Sequence, residues 1–364
     1  MKTPVVLLVF NRPACTEELM TILRRAEPPV LLVVGDGPRP GRPDDAERCA
    51  RVRDLATQVD WPCELLTEFS PHNLGCGPRV ASGIDWAFTH VDRAVILEDD
   101  IRPDPSFFPF ADAMLERYAD ETRVMQVSGR NPIGAWDDEC TDYLFSRSAS
   151  GWGWATWRRA WSAFDLTLAR YQSDPVTEAV RARAVDEHHA ELLTWLLTFD
   201  VATGMRTWDI SWFLAVFAND GLCVVPRRNL IGNVGFDAEA THTTDPDDFG
   251  AAVSVASIEP PFRGPAVVEP DLAFDRALEW FERAREIANP RAAALVHRLL
   301  QHPEASQSPL VTPAVRHALV TFDHPDEALS ALRHVRAHSR PWPALDRRIA
   351  ELAAVCTDAV GATS

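Results

Sequence analysis

The chain has 364 residues, enough to bury a substantial core and to hold two domains. Hydrophobic residues make up 46% and charged residues 24%, values of a folded globular protein that exclude disorder as an overall theme. The formal net charge of −17 opposes extended contact with nucleic acid or an anionic membrane, both of which need clustered Lys and Arg.

Val5–Phe10 is the first apolar run. It follows Met1-Lys2 as a leader segment would, but it is short and runs straight into Asn11-Arg12-Pro13, so it is predicted to be a β-strand. The pattern then alternates helical and β-branched segments: Thr16–Arg25, Val30–Val34, Asp44–Val59, Cys63–Thr67, Gly77–His90, Ala94–Leu97, Pro105–Tyr118 and Val124–Val127. Such a βαβ series predicts a parallel sheet covered on both faces, with ligands beyond the carboxyl ends of its strands. From Tyr143 to about Thr243 aromatic-rich helices mix with short strands, and 244–270 reads as a loop rich in Asp, Pro and Gly. Beyond Asp271 apolar residues such as Leu278, Phe281 and Ala284 recur at helical spacing, predicting a small helical region from about residue 287. No stretch approaches the roughly 18 apolar residues of a membrane span. The seven cysteines are scattered without a C-x-x-C pair or zinc spacing, as expected of reduced thiols in a cytoplasmic protein.

The strand ends carry the chemistry. Glu98-Asp99-Asp100 closes the buried run Ala94–Leu97, and adjacent carboxylates there repel one another unless a cation or a hydrogen-bonding ligand offsets them. A hard divalent metal holding a diphosphate suits that place, and a solvated acidic turn is the plain alternative. Asp36, in a Gly-Asp-Gly-Pro turn, could accept hydrogen bonds from a base or ribose, or be an ordinary turn aspartate. Asn73-Leu74-Gly75-Cys76-Gly77-Pro78-Arg79 combines glycines that admit a ligand with an arginine opening a helix. Neither a P-loop nor a Gly-x-Gly-x-x-Gly turn is present. Between Gly151 and Trp161, Trp152 and Trp154 lie beside glycines and are expected on a sugar-binding loop, whereas Trp157 and Trp161 are expected in the core. Asp209 suits either a helix N-cap or a general base in a partly dry site. His242 is a lone histidine after a glycine-containing loop.

Taken in order, Asn11-Arg12-Pro13, Gly35–Arg39, Asn73–Gly77, Glu98–Asp100, Gly151–Trp154, Trp208-Asp209 and Ala240–His242 resemble the inverting GT-A glycosyltransferases. The likeness is to the bacterial hemolysin-related, HlpA-like enzymes and, more distantly, to N-acetylglucosaminyltransferase I. It spans Pro4 to about Thr243. The fold it implies is α/β, a Rossmann-like GT-A domain over 1–286 with a mainly parallel sheet. Within it, 1–130 would form the nucleotide-binding half and 131–270 the acceptor-side half, with 287–364 a helical C-terminal appendage. The activity it implies is metal-dependent, inverting transfer of a sugar from an NDP-sugar, UDP- or dTDP-linked, to an acceptor hydroxyl or amine by single displacement. Asp100 and His242 would hold Mn2+ or Mg2+, and Asp209 would be the base. Phe10, Asn11, Arg12, Asp36, Asn73, Arg79, Glu98, Asp99, Trp152 and Trp154 would line the donor site. Glu-Asp-Asp stands here where Asp-x-Asp is commoner, which matches N-acetylglucosaminyltransferase I. The C-terminal helices would serve oligomerisation, acceptor docking or stability. A sugar-1-phosphate nucleotidyltransferase is an alternative, although the glycine-rich loop such enzymes carry after the first strand is replaced by Asn11-Arg12-Pro13. A non-catalytic sugar-nucleotide or glycan-binding partner is another.

Overall fold

Strands that are apolar on both faces must be covered on both faces, and parity along each strand decides which residue meets which layer. The computed structural model describes residues 1–136, 140–203, 207–235, 253–288, 325–338, 346, 349, 350 and 353. Its first half follows the alternation read from the sequence: β1 (Val5–Val9), α1 (Pro13–Ala26), β2 (Val30–Gly35), α2 (Pro43–Thr57), β3 (Glu64–Phe69), α3 (Cys76–His90), β4 (Arg93–Glu98), β5 (Ile101–Pro103), α4 (Phe107–Arg117) and β6 (Val124–Ser128). Then come β7 (Tyr143–Ser146), β8 (Trp154–Trp157), α5 (Arg158–Trp161), α6 (Asp174–Arg183), α7 (Glu187–Thr203), α8 (Trp208–Ala218), β9 (Leu222–Pro226), β10 (Ile231–Asn233), α9 (Leu272–Ala288) and α10 (Pro325–Ala337).

Eight strands form one sheet in the order β3-β2-β1-β4-β8-β6-β9-β7. The first four are mutually parallel, with Leu7 between Val33 and Leu97. Val5, Leu7 and Val9 meet α1, α2 and α4 on one face, whereas Val6 and Leu8 meet the core shared by α3, α8, α9 and α10 on the other. The expected mostly parallel α/β sheet is therefore present, and it is consistent with a Rossmann-like GT-A architecture. Its connectivity has two elements that the hydrophobic pattern does not reveal: β7 pairs antiparallel with β9 at the edge, and β8 enters antiparallel between β4 and β6. That insertion brings Gly151–Gly153, the residues before Trp154, to the carboxyl end of β4. A second, two-stranded sheet pairs β10 with β5 just beyond Asp100.

Among the described residues after 287, α10 buries Ala328, Leu329, Leu332 and Val335 in the same core as α9. It is also tied to the body by hydrogen bonds, His334 Nε2 to Ala135 O at 2.6 Å and Ser254 N to His338 O at 3.1 Å. No helix among the described residues is long and apolar enough to cross a membrane.

Candidate active site

The carboxyl ends of β1, β2 and β4 open onto a cavity of about 410 Å3. Ten of the expected residues line it: Phe10, Arg12, Asp36, Asn73, Arg79, Glu98, Asp99, Asp100, Trp152 and Asp209. Two others do not. Asn11 is buried and donates from Nδ2 to Asp45 Oδ1 at 2.8 Å, so it fixes the start of α2 instead of facing the cavity. Trp154 is corrected from a loop residue to a core residue, because it sits on β8 with no exposed surface. Its ring stacks on Trp208 with centroids 5.7 Å apart and tilts against Trp212 at 5.5 Å. Trp157 and Trp161 are buried as expected, but not as one helical stripe: Trp157 ends β8, Trp161 lies in α5, and they join the cores on opposite faces of the sheet. His242 lies outside the described residues.

Asp36 holds the first wall together. Its Oδ1 accepts from Gly37 N and Leu74 N, and its Oδ2 accepts from Asn73 Nδ2 and Gly75 N, at 2.8–3.1 Å. A carboxylate has about four lone-pair sites, so these bonds occupy its acceptor capacity and leave none for a base or ribose. Asp36 is a loop organiser that fixes Asn73–Gly75. Gly75, at φ +82, takes a left-handed turn that side chains rarely adopt, and the chain enters α3 there. Gly75 and Cys76 thus present the positive end of a 15-residue helix to the cavity.

Arg79, in the first turns of α3, is 5% exposed and donates to the Glu68 carbonyl at 2.5 Å and to the Glu68 carboxylate. Its Nε is buried without a partner. Arg39 was not among the expected site residues, yet it lines the cavity. Its guanidinium stacks over Phe10 at 5.3 Å and grips Asp45 through Nε and Nη2 at 2.6 and 2.9 Å. Those bonds hold the Asp45 carboxyl well below the usual range despite its burial. The sequence signal was available in part, since Arg39 closes the same polar strand end as Asp36.

The acidic end is more crowded. Asp100 Oδ2 accepts from Arg12 Nη1 at 2.7 Å, and Arg12 also lies 4.0 Å from Asp99 Oδ1. Burial pushes Asp99 up to about 7, reinforced by Asp100 and opposed by Arg12. Glu98 is raised well above the carboxylic range, by burial first and then by Asp100 and Asp209. Burial likewise pushes the Cys76 thiol up to about 12, with Glu98 and Asp209 adding to it, so Cys76 is a poor nucleophile. Gly235 passes so close that a methyl group there would collide with the Asp100 carboxylate. Val234 N donates to Asp100 O at 2.9 Å, fixing that approach.

The far wall is the first turn of α8. Thr207 occupies the N-cap position, so Asp209 is not the cap; it is the second residue of the helix and is exposed on the cavity wall. Of its apolar neighbours, Trp212 is buried in the core, and Trp208, though mostly buried, lines the cavity beside it. Gly151 packs against Trp208 and Asp209 at 3.2–3.3 Å from where a Cβ would stand, and next to it Trp152 lies under the Arg130 guanidinium at 3.9 Å.

Four carboxyl groups, of Glu98, Asp99, Asp100 and Asp209, thus share a cavity in which Arg12 contacts only Asp100 and Asp99. Among the described residues no three His, Cys, Asp or Glu side chains form a closed metal cage. A hard cation held by one or two carboxylates plus a substrate's phosphates needs no such cage, and the oxygen donors of this strand end fit that mode.

No protein-family description and no curated protein matches the chain. Among solved structures it is similar to a mannosyltransferase from Pyrobaculum calidifontis in complex with GDP-Man and Mn2+, at 15% identity and a TM-score of 0.32, covering 100% of this chain and 81% of that one. It is also similar to a UDP-glucose pyrophosphorylase complexed with UDP-glucose, at 8% identity and a TM-score of 0.29, covering 62% and 90%. Likenesses of that degree carry no weight for activity, which must be argued from the cavity itself.

Proposed function

We propose that the protein is a metal-dependent, inverting glycosyltransferase that takes its sugar from an NDP-sugar. The observation that carries this is the convergence, on one cavity, of an acidic strand end with Arg12, a helix N-terminus suited to phosphate, and a separate carboxylate on the opposite wall. The sequence resemblance to GT-A glycosyltransferases supports the same assignment.

Each residue has a definable part. The loop fixed by Asp36, with Phe10, Arg39 and Asn73, holds the nucleoside. Arg12 and the start of α3 face the diphosphate, and Trp152 offers an aromatic face to the sugar. Asp100, with His242 as a second ligand by resemblance, would hold Mn2+ or Mg2+, which supplies positive charge against the leaving diphosphate. Asp209 accepts the proton of the acceptor hydroxyl as that oxygen bonds to the anomeric carbon. The bond from that carbon to the diphosphate breaks on the opposite side, and its electron pair leaves with the phosphate oxygen. One displacement from the opposite face inverts the centre. The C-terminal helices contribute stability through α10.

Incubation with a panel of NDP-sugars, Mn2+ and candidate acceptors tests this. Release of nucleoside diphosphate, with a β-linked product from an α-linked donor by NMR, is expected. Pyrophosphate release from a nucleoside triphosphate and a sugar 1-phosphate would instead identify a nucleotidyltransferase.

A further inference from the structure

α7 carries apolar residues on more than one face, interleaved with Glu191, Thr194 and Thr198. One face, Ala190, Leu193 and Leu197, is in the core, yet Leu192, Trp195 and Leu196 on the other face are only half-buried. Those side chains, with Ile210, Phe213 and Phe217 of α8, wall a second cavity of about 780 Å3 that is closed by Asp275, Leu278 and Glu279 of α9.

The polar end of this cavity is built. Asp275 Oδ1 accepts from Ser146 Oγ at 2.6 Å and its Oδ2 from Arg147 N at 3.3 Å, while Ser148 N donates to Ser146 Oγ at 3.0 Å. These bonds fix residues 146–148 where the Arg147 and Ser148 side chains line the space. The neighbouring charges are answered. Arg183 pairs with Asp220 at 3.0 Å, Arg276 lies 3.8 Å from Glu327, and Glu279 accepts from Arg283 at 3.1 Å. The Arg147 guanidinium is different: among the described residues no side-chain hydrogen bond or ion pair ends on it, Asp275 reaches it only through longer-range attraction, and its Nε is buried without a partner. A buried donor left unmade is costly, and a cation beside a half-buried apolar wall calls for an anionic head on an apolar chain.

We infer that this second cavity binds an amphipathic anion, its phosphate or carboxylate head on Arg147 and its apolar chain against Leu192, Ile210 and Phe213. Two elements join it to the first cavity: α8, whose Asp209 faces the first cavity and whose Ile210 and Phe213 face the second, and the loop from Arg147 to Trp152. Resting on the transferase assignment above, the ligand is then the acceptor or an acceptor's tail, approaching Asp209 from the side opposite the donor.

Calorimetric titration of the full chain with decyl phosphate, decanoate, decanol and decyltrimethylammonium tests this, with Trp195 fluorescence as a second readout. Saturable one-to-one binding of the anions is expected, with decanol and the cation weaker. Phosphate bound without carboxylate would identify a phosphate head, and both bound alike would leave the charge itself as the feature recognised. Arg147→Met keeps the apolar stem and should weaken the anions about 10- to 100-fold, the span of a charge-assisted hydrogen bond, while leaving decanol unchanged. Leu192→Trp should crowd the apolar wall and weaken binding of all four. Absence of saturable anion binding, or equal affinity for decanoate in Arg147→Met, overturns the inference. Nucleoside diphosphate titrated into the same samples reports on the first cavity separately, so failure of one site is distinguishable from failure of the other.

Discussion

Asn73 and Asp36 meet side chain to side chain, Nδ2 donating to Oδ2 at 2.9 Å, and this contact joins the loop after β3 to the turn after β2. Three backbone N–H groups complete the Asp36 shell. Asp36→Ala should therefore loosen residues 73–75 and the start of α3 together. Hydrogen bonds to charged groups contribute about 1.5–3 kcal/mol each, and because the loop can relax, a loss of about that size in total is expected by denaturant titration. Nucleotide affinity should fall with it. A variant of unchanged stability would show that the loop is held by something else.

Asp209 stands in the first turn of α8, where a carboxylate stabilises the helix by only about 0.3–1 kcal/mol. Asp209→Asn should accordingly fold and bind donor normally. If the carboxylate is the base, turnover drops roughly 10²–10⁴-fold, the usual worth of a positioned proton acceptor. Near-normal turnover in the asparagine variant would remove it from the mechanism.

Much of this was legible in the sequence, for reasons that are local. The unbroken apolar run Val5–Val9 and the polar residues that end each strand are properties of a few consecutive residues, so the sheet and most of the cavity wall could be read from them. What could not be read depends on distant partners. Trp154 shares its glycine-rich setting with Trp152, but β8 inserts between β4 and β6 and turns it into the core. Asn11 has the composition of a ligand contact and is instead consumed by Asp45, 34 residues away. Asp36 has the right place for a nucleoside contact, and only the arrival of the loop at Asn73 shows that its oxygens are already taken. The second cavity lies between helices whose patterns reveal that they are apolar, not what they enclose.

The acid-base balance of the fold offers a third check. Burial pushes the Asp275 carboxyl up to about 6 from an ordinary 3.8, against the hydrogen bonds from Ser146 and Arg147. A pKa raised on folding means that the native state binds the proton more tightly than the unfolded chain. The stability is then full below about 4 and is lost as pH rises toward about 6. The shift corresponds to an order of 3 kcal/mol. Asp275→Asn should flatten that slope between about pH 4 and 6 in urea titrations. An unchanged slope would mean that Asp275 titrates in the folded protein as it does in the unfolded chain.

Leu332 is 1% exposed in α10, inside the core shared with α9. Leu332→Ala should cost about 2–5 kcal/mol of the main unfolding transition, as buried leucine truncations do. If α10 were an independent appendage, the main transition would stay in place and a separate, earlier one would move.

The most direct measurement is calorimetric titration of UDP, dTDP and GDP into the wild-type protein and Asp100→Ala, each with and without Mn2+. Asp100 is the carboxylate that Arg12 balances at 2.7 Å, and Gly235 lies against it too closely for a side chain. Binding of at least one nucleoside diphosphate to the wild type, dependent on Mn2+ and lost in Asp100→Ala, is expected. No binding of any nucleotide to the wild type, or Mn2+-dependent affinity undiminished in Asp100→Ala, would contradict the assignment.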